Sequence, residues 1–162
     1  MSDINFATQL YCLSSTFYTA YPNSLYPEIL YDKGGRPYNC LVIESKADYF
    51  ICIPFRSSMK HKYGYKFRSS KRSKRTPSGL DYKKTVIICK KEYFDLTKPV
   101  IVDNDEYKEA IANIKRIVRE VNKFIDDYID CKNGVSKISV QEYGRRYNES
   151  TLQYFHAELG IK

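Results

Sequence analysis

Short apolar runs fill roughly the first hundred residues of the chain. Their length and their content of β-branched and aromatic residues predict strands rather than helices. The predicted strands lie at the start of 9–21 and at 38–44, 48–55, 85–89 and 100–102. Residues 44–48 are predicted to connect a hairpin. Pro54 is predicted to mark a strand end or an edge position, because proline has no N–H to donate to a strand ladder.

A helical spacing of apolar residues replaces this pattern after Asp103. Asp103 is the predicted N-cap of a helix of about 28 residues, and Asn133-Gly134 is predicted to end it. Shorter helices are predicted at 139–147 and 151–159. With strands first and helices last, the sequence predicts an α+β fold in a single domain spanning 1–162. We expect a compact antiparallel, barrel-like β core, with the long helix and the C-terminal helices packed against one face of it.

Excess positive charge is concentrated in one stretch of the chain. The whole chain carries a formal charge of +8, and no acid occurs between Asp48 and Asp81. The cations of this stretch are Arg56, Lys60, Lys62, Lys66, Arg68, Lys71, Arg72, Lys74 and Arg75. The aromatic residues interleaved with them are Tyr63, Tyr65 and Phe67. Such a pattern favours binding to nucleic acid, and the Gly, Ser and Pro residues predict a projecting, mobile loop at about 61–80.

Several other classes of protein are disfavoured. The five cysteines are widely spaced and lack a C-x-x-C pair, so they predict reduced thiols in a cytoplasmic protein. Cys40, Cys52 and Cys89 lie in apolar runs and are predicted to be buried. No signal peptide is visible, and no run reaches the roughly 18 apolar residues of a membrane span. The acids are not clustered as a two-metal site requires, so neither a metal nor another cofactor is expected.

The residues that follow the run at 48–55 could support cleavage of RNA. The 2′-OH of RNA can attack its own phosphate, so an enzyme needs to align the attack, move protons and stabilise the extra negative charge. The hexapeptide at 56–61 (RSSMKH) supplies two hydroxyls, two permanent cations and a histidine. His61 could act as an acid or base, or only contact a phosphate. The hexapeptide is also compatible with an ordinary polar turn that has no catalytic role. His156, beside Phe155, is expected to pack or to face solvent.

In this region the sequence resembles the toxins of type III toxin–antitoxin systems, the group that includes ToxN, AbiQ, TenpN and CptN. The stretches that carry the resemblance are 38–44, 47–67 (ADYFICIPFRSSMKHKYGYKF) and 85–94 (TVIICKKEYF), and they are most similar to the CptN and TenpN branches. The resemblance implies a metal-independent endoribonuclease with a barrel-like β core similar to that of MazF and Kid toxins. It also implies RNA products with 2′,3′-cyclic phosphate and 5′-hydroxyl ends.

The same resemblance implies the partners and the biological setting. Such toxins cut cellular mRNA and also process the precursor of a small repeated antitoxin RNA. That RNA folds as a pseudoknot, lies in the basic groove of the toxin and inhibits it. Toxin and RNA alternate in a closed hetero-oligomer, without a membrane partner, and such systems act in phage defence.

Candidate site residues are transferred from the family one at a time. The catalytic strand end of the family reads hydroxyl, hydroxyl, any residue, lysine, which is matched here by Ser57, Ser58 and Lys60. A basic residue before the second strand falls nearest Arg36, where arginine would stabilise the phosphate because it is hard to deprotonate. The predicted catalytic residues are Ser57, Ser58, Lys60, Arg36 and His61. The predicted RNA-binding residues are Lys33, Arg56, Lys62, Tyr63, Tyr65, Lys66, Arg68, Lys71, Arg72, Lys74 and Arg75, with the rings either stacking on bases or packing against the strand.

Two other functions remain open from the sequence. A non-catalytic RNA-binding module explains the charges and the aromatic residues equally well, but does not require Ser57, Ser58 and Lys60 to converge. A DNA-binding regulator that reads DNA with a helix is less favoured, because the cations of the long predicted helix are offset by acids such as Glu109, Glu120 and Asp127.

Overall fold

The computed structural model describes residues 9–31, 38–45, 47–97, 100–136 and 138–162. Within these ranges the chain is a mixed α and β structure with seven strands and four α-helices. The strands are β1 Gln9–Leu13, β2 Asn39–Glu44, β3 Phe50–Ser57, β4 Gly64–Lys66, β5 Ser78–Asp81, β6 Val86–Ile88 and β7 Phe94–Asp95. The helices are α1 Ser15–Ala20, α2 Asn104–Ala112, α3 Ile114–Lys132 and α4 Val140–Tyr147. Short 3₁₀ turns occupy Tyr82–Lys84, Lys91–Tyr93 and Thr151–Tyr154.

All seven strands belong to one sheet, and every pair in it is antiparallel. The strand order is β4-β5-β3-β2-β1-β7, and β6 also pairs with β3. The two outermost strands, β4 and β7, do not pair with each other in the described part of the chain, so the sheet is open. The hairpin predicted from the runs at 38–44 and 48–55 is confirmed by the pairing of β2 with β3.

Pro54 lies inside β3 and does not end it, contrary to the prediction. On one side of β3, residues 50–52 pair with β6 and residues 55–57 pair with β5. The turn Tyr82–Lys84 separates these two partner strands, so the neighbouring ladder is interrupted near Pro54. A proline, which lacks an N–H, is tolerated at such an interruption.

The 3₁₀ turn at this interruption ties the C-terminal residues to the sheet. Lys83 is buried, and its Nζ donates a hydrogen bond to the carbonyl of Arg145 at 3.0 Å. Lys84 Nζ donates to the carbonyl of Glu149 at 2.9 Å and pairs with Glu28 Oε1 at 2.8 Å. The two lysines therefore fix the position of the segment that contains α4 through bonds to the backbone carbonyls at its end.

The core covers both faces of the sheet at its centre. Residues 40–43 of β2 are all buried, and successive residues of a strand point to opposite faces. Phe17 of α1 and Ile117 and Val121 of α3 belong to the same core as the strands. The helices therefore pack against the sheet, as predicted. The short helix α1, which the sequence analysis did not predict, contributes a fully buried ring.

The long helix predicted from Asp103 is in fact two helices, of 9 and 19 residues. They are separated at Asn113, whose side-chain amide donates to the carbonyl of Glu109 at 2.8 Å. The apolar spacing continues across the break, which is why periodicity alone did not reveal it. The side chain of Asp103 does not cap α2, whereas the end at Asn133-Gly134 is confirmed by a positive φ of 74° at Gly134.

The remaining expectations have mixed outcomes. The helix predicted at 139–147 is confirmed, but 151–159 contains only the 3₁₀ turn and further turns. Residues 100–102 form no strand, and the last strand is β7 instead.

Cys40 and Cys52 are buried as predicted, whereas Cys89 is exposed. No helix among the described residues combines the length and the apolar character needed to cross a bilayer.

Candidate nucleic-acid interface

The chain after β3 is held in a sharply turned conformation. Ser57 pairs with Ser78 of β5, and Ser58 then adopts a left-handed backbone with φ of 58°. Met59 is fully buried, and its N–H donates to the carbonyl of Pro77 at 2.9 Å. A Cβ at Gly79 would lie 2.2 Å from the carbonyl oxygen of Tyr65 and 2.7 Å from Met59 Cε, so only glycine allows this close approach. The backbone around Ser58 is therefore fixed from both sides.

Two hydroxyls meet at this turn. Ser58 is exposed, and its Oγ lies 3.2 Å from Oγ1 of Thr76, with either group able to donate. Lys60, two residues further on, is exposed. Non-glycine residues with positive φ are uncommon and tend to persist at functional sites, where the surrounding structure holds them. Such a turn presents hydroxyls and a flexible cation to solvent on a rigid backbone, which suits contacts to a phosphate group.

A buried carboxylate, Asp81, lies beneath this turn. Arg56 Nη1 donates to Asp81 Oδ2 at 2.8 Å, and the backbone N–H of Lys83 donates to Oδ1 at 3.0 Å. His61 Nε2 lies 3.0 Å from the same Oδ1, in close contact but without a well-directed hydrogen bond. Burial alone would raise the pKa of Asp81, but the His61 imidazole and the Arg56 guanidinium outweigh it and hold that pKa below its usual range.

Both ring nitrogens of His61 are in contact with protein groups. Nδ1 accepts a hydrogen bond from the backbone N–H of Tyr63 at 3.1 Å. Nε2 faces Asp81, as described above. The histidine therefore links the turn to the buried carboxylate, and the hydroxyl of Tyr63 continues the link to Glu142 of α4 at 3.1 Å. This geometry fits a positioning residue better than a proton carrier.

The second half of the basic stretch forms a helical turn at 71–75. Ser70 caps it, because Ser70 Oγ accepts from the N–H of Ser73 at 2.9 Å and the Ser70 carbonyl accepts from the N–H of Lys74 at 3.3 Å. The turn ends where the N–H of Thr76 donates to the carbonyl of Arg72 at 2.9 Å. We call 71–75 the basic turn. It leads directly to the Thr76 hydroxyl that contacts Ser58.

Acids of α2 hold the segment before the basic turn. Glu109 accepts hydrogen bonds from the backbone N–H groups of Arg68 and Ser69 and from the hydroxyls of Ser69 and Tyr65, at 2.8 to 3.1 Å. Burial would raise the pKa of Glu109, but these donors, led by the Tyr65 hydroxyl, hold it below its usual range. Glu106 is 3% exposed and accepts from the hydroxyls of Ser70 and Ser78 at 2.9 and 2.6 Å.

Two further acids contact the basic turn itself. Asp105 Oδ2 accepts from the backbone N–H of Lys71 at 2.9 Å, and this bond lowers the pKa of the carboxyl. Asp103 Oδ2 lies 3.0 Å from Nη2 of Arg72. The segment predicted to be a projecting, mobile loop is therefore attached to α2 by at least four carboxylates, and β4 pairs with β5 inside it. The prediction of a mobile loop was wrong because composition shows charge and turn residues. It does not show the long-range hydrogen bonds that hold this backbone.

The attachment predicts a measurable contribution of Glu106 to stability. Replacement by alanine leaves the buried hydroxyls of Ser70 and Ser78 without their acceptor, and we expect the free energy of unfolding to fall by about 2 kcal/mol. Glu106→Gln keeps an amide oxygen as acceptor and should lose less than half as much. Urea unfolding of both variants checks this. Equal losses in the two variants would contradict the assigned hydrogen bonds.

The aromatic residues of the basic stretch divide into two groups. Tyr65 and Phe67 are 3% and 5% exposed, so their rings pack in the core and do not face RNA. Burial and the bond to Glu109 raise the pKa of Tyr65 to about 12. Tyr63 is half-buried, with Nζ of Lys62 5.6 Å from its ring centroid. Of the two roles left open by the sequence, packing is thus confirmed for Tyr65 and Phe67, and Tyr65 is removed from the predicted RNA-binding residues.

The structure leaves most of the predicted cations on the surface. The exposed ones are Lys60, Lys62, Lys66, Arg68, Lys71, Lys74 and Arg75. Arg72 is partly exposed, and Arg56 is paired with Asp81. Arg36 and Lys33 lie outside the described residues. His156 is hydrogen-bonded to the hydroxyl of Tyr128 at 2.6 Å, in agreement with a packing role.

Four residues at this surface were missed by the sequence analysis. Thr76, Asp81, Glu106 and Glu109 all contact the basic stretch, but they lie 18 to 41 residues from their partners. Only Asp81 carried a local signal, as the acid that ends the acid-free stretch. Within the described ranges no three His, Cys, Asp or Glu side chains converge in a way that could hold a metal ion.

Comparison with known proteins adds no family to this picture. The chain matches no protein-family model, no curated protein and no solved structure. Function must therefore be argued from the geometry and from the resemblance described above.

Proposed function

We propose that this protein is a metal-independent endoribonuclease toxin of a type III toxin–antitoxin system. In this proposal it cuts RNA to 2′,3′-cyclic phosphate and 5′-hydroxyl ends, processes its antitoxin RNA and is inhibited by it. The proposed partners are a small repeated pseudoknot RNA and cellular mRNA, in a closed hetero-oligomer in the cytoplasm. The assignment to a toxin–antitoxin system depends on the sequence resemblance, whereas the nuclease activity also has structural support.

One observation carries the nuclease proposal. Ser58 is held with a positive φ beside the hydroxyl of Thr76, two residues from the exposed Lys60 and next to the basic turn. A binding surface alone needs only the cations, and does not require a strained backbone that brings two hydroxyls together. A reacting phosphate, in contrast, needs fixed donors around it.

The proposed roles follow from these positions and, for Arg36, from the sequence resemblance alone. Ser57, Ser58 and Thr76 contact the scissile phosphate, and Lys60 stabilises the charge of the phosphorane together with Arg36. His61 contacts Asp81, and the two residues together orient the turn. Asp81 also holds Arg56 and compensates part of its charge. The cations of the basic turn bind the phosphates on one side of the cleavage point.

The proposal extends to the shape of the β core. A curved, barrel-like sheet of the MazF and Kid type is supported by the antiparallel pairing of all seven strands. It is also supported by the pairing of β3, whose residues 50–52 pair with β6 and whose residues 55–57 pair with β5. The partner strand therefore changes near Pro54. Strongly bent sheets use such interruptions to change direction.

The proposed activity predicts cleavage of single-stranded RNA in the presence of EDTA. The same strand made with 2′-deoxynucleotides should remain intact, because the attacking 2′-OH is absent. Products separated on a gel should carry 5′-hydroxyl ends that a kinase can label directly. Cleavage that appears only after Mg²⁺ is added, or that cuts the deoxy strand equally well, would contradict the proposed mechanism.

A non-catalytic RNA-binding module is the second candidate. It is favoured by the basic turn, which is a preformed cationic surface whether or not chemistry occurs beside it. The two functions differ in the EDTA experiment, since a binding module retains the RNA but leaves it intact.

A further inference from the structure

An open cleft lies between the basic turn and the start of α2. Its volume is about 550 Å³, which is within the range of sites for small organic ligands. The cleft is lined by Lys71, Arg72, Arg75, Asp103, Asn104 and Asp105. Cations and hydrogen-bond acceptors thus face the same space. Asp105 holds the basic turn, but Asp103 and Asn104 keep acceptor oxygens at the cleft, so the lining suits a ligand with both an anionic and a hydrogen-bond-donating part.

The cations of the cleft suit a phosphate and a flat ring. The side chains of Lys71 and Arg75 are exposed and form no ion pair within the described residues. The guanidinium of Arg72 is 42% exposed and is held by Asp103 at 3.0 Å. A planar guanidinium fixed by a carboxylate offers a face on which a nucleobase can stack.

The acceptors of the cleft suit the edge of a base. Both oxygens of Asp105 are occupied, by the backbone N–H groups of Lys71 and Glu106. Asp103 pairs with Arg72 through Oδ2, so Oδ1 remains available to accept a hydrogen bond from a ligand. The exposed amide of Asn104 makes no side-chain hydrogen bond to another described residue. Amide and carboxylate oxygens accept hydrogen bonds from the exocyclic amino groups of adenine and cytosine, which uracil lacks.

We propose that this cleft is a nucleotide subsite that reads one base beside the cleavage point. Lys71 and Arg75 hold the phosphate, the base stacks on Arg72, and Asn104 with Asp103 accepts hydrogen bonds from its amino group. Arg75 directly precedes Thr76, whose hydroxyl contacts Ser58, so the subsite adjoins the candidate reaction centre. This inference rests on the proposed function because it takes RNA as the ligand. It adds the residues that set the base preference.

Binding of short labelled RNAs tests the subsite without relying on cleavage. The full chain with Lys60→Ala is titrated against fluorescein-labelled oligoadenylate, oligocytidylate and oligouridylate at matched salt, and anisotropy gives each Kd. We expect the adenylate or cytidylate to bind about 5-fold to 100-fold more tightly than the uridylate. Adding Asn104→Ala should remove this preference. The Kd for oligouridylate should stay within about 3-fold of its value in the chain that carries Lys60→Ala alone. Asn133→Ala, at an exposed position after α3, is the matched control and should keep the preference.

The outcomes separate the subsite from the proposed function. Equal affinities for all three RNAs, or a preference that survives Asn104→Ala, overturn the subsite while cleavage in EDTA still supports the nuclease. A preference that depends on Asn104, in a wild-type chain that does not cut RNA, supports the subsite and overturns the nuclease. Absence of binding to any of the three RNAs overturns both.

Discussion

Replacement of Lys60 by alanine is expected to lower the rate of RNA cleavage by about 100-fold or more. Removal of a single group that stabilises transition-state charge typically has an effect of this size. Lys60 is exposed and follows the buried Met59, so its loss should leave the fold unchanged. RNA binding should weaken only a few-fold, because many other cations remain on the same surface. Single-turnover cleavage and anisotropy, measured on the same protein preparation, separate the two effects.

Lys115→Ala is the matched control for this experiment. Lys115 is an exposed lysine of α3 and forms no hydrogen bond or ion pair with the candidate site residues that the structure describes, so both cleavage and binding should stay within about 2-fold of wild type. In cells, wild type should inhibit growth and Lys60→Ala should not. A Lys60→Ala variant that cuts as fast as wild type, or that fails only because RNA no longer binds, would remove Lys60 from the proposed reaction centre.

Replacement of Asp81 by alanine is expected to lower the free energy of unfolding by about 2–4 kcal/mol. Removal of a buried charge partner has a large effect, but the side chain of Arg56 is 31% exposed, so solvent compensates part of its charge. Here Arg56, His61 and the N–H of Lys83 would all lose contacts to the carboxylate. Asp130→Asn, at an exposed residue of α3, should change stability by less than about 0.5 kcal/mol. A loss below about 1 kcal/mol for Asp81→Ala would show that these contacts contribute little.

The contribution of Asp81 should also depend on pH in a defined direction. Its pKa in the folded protein is lower than its value in the unfolded chain, which is about 3.9. The ionised carboxylate therefore stabilises the fold above about pH 4, and this stabilisation is lost as the pH falls through the folded-state pKa. The difference in unfolding free energy between wild type and the isosteric Asp81→Asn should narrow as the pH falls below about 4. A difference that widens below about pH 4 would contradict the assigned shift.

The strands were the most predictable part of the fold. β2, β3 and β6 are continuous apolar runs, and such runs are read directly from the sequence. The short strands β4, β5 and β7 and the helix α1 were missed because elements this short have little periodicity of their own. The break at Asn113 was missed for a different reason, since the apolar spacing is the same on both sides of it.

The candidate site was predictable in its residues but not in its contacts. Ser57, Ser58 and Lys60 stand next to each other in the chain, so their proximity follows from the sequence alone. The partners that hold them come from elsewhere, since Thr76 lies 18 residues from Ser58 and Asp81 lies 25 residues from Arg56. In the sequence the acids of α2 only offset the cations of the predicted helix, yet Glu106 is 3% exposed and bonded to two serines. Local sequence patterns cannot distinguish a solvated acid from one that accepts hydrogen bonds from residues far away in the sequence.

The attachment of the basic turn to α2 has a consequence for how fast a polyanion can bind. A segment that is disordered before binding loses conformational entropy on association and gives a large negative change in heat capacity. Here the backbone of Arg68, Ser69 and Lys71 is already bonded to Glu109 and Asp105, so that entropy is lost during folding. Association at this surface should therefore show a small heat-capacity change and a rate set by electrostatic attraction, falling steeply as salt is added.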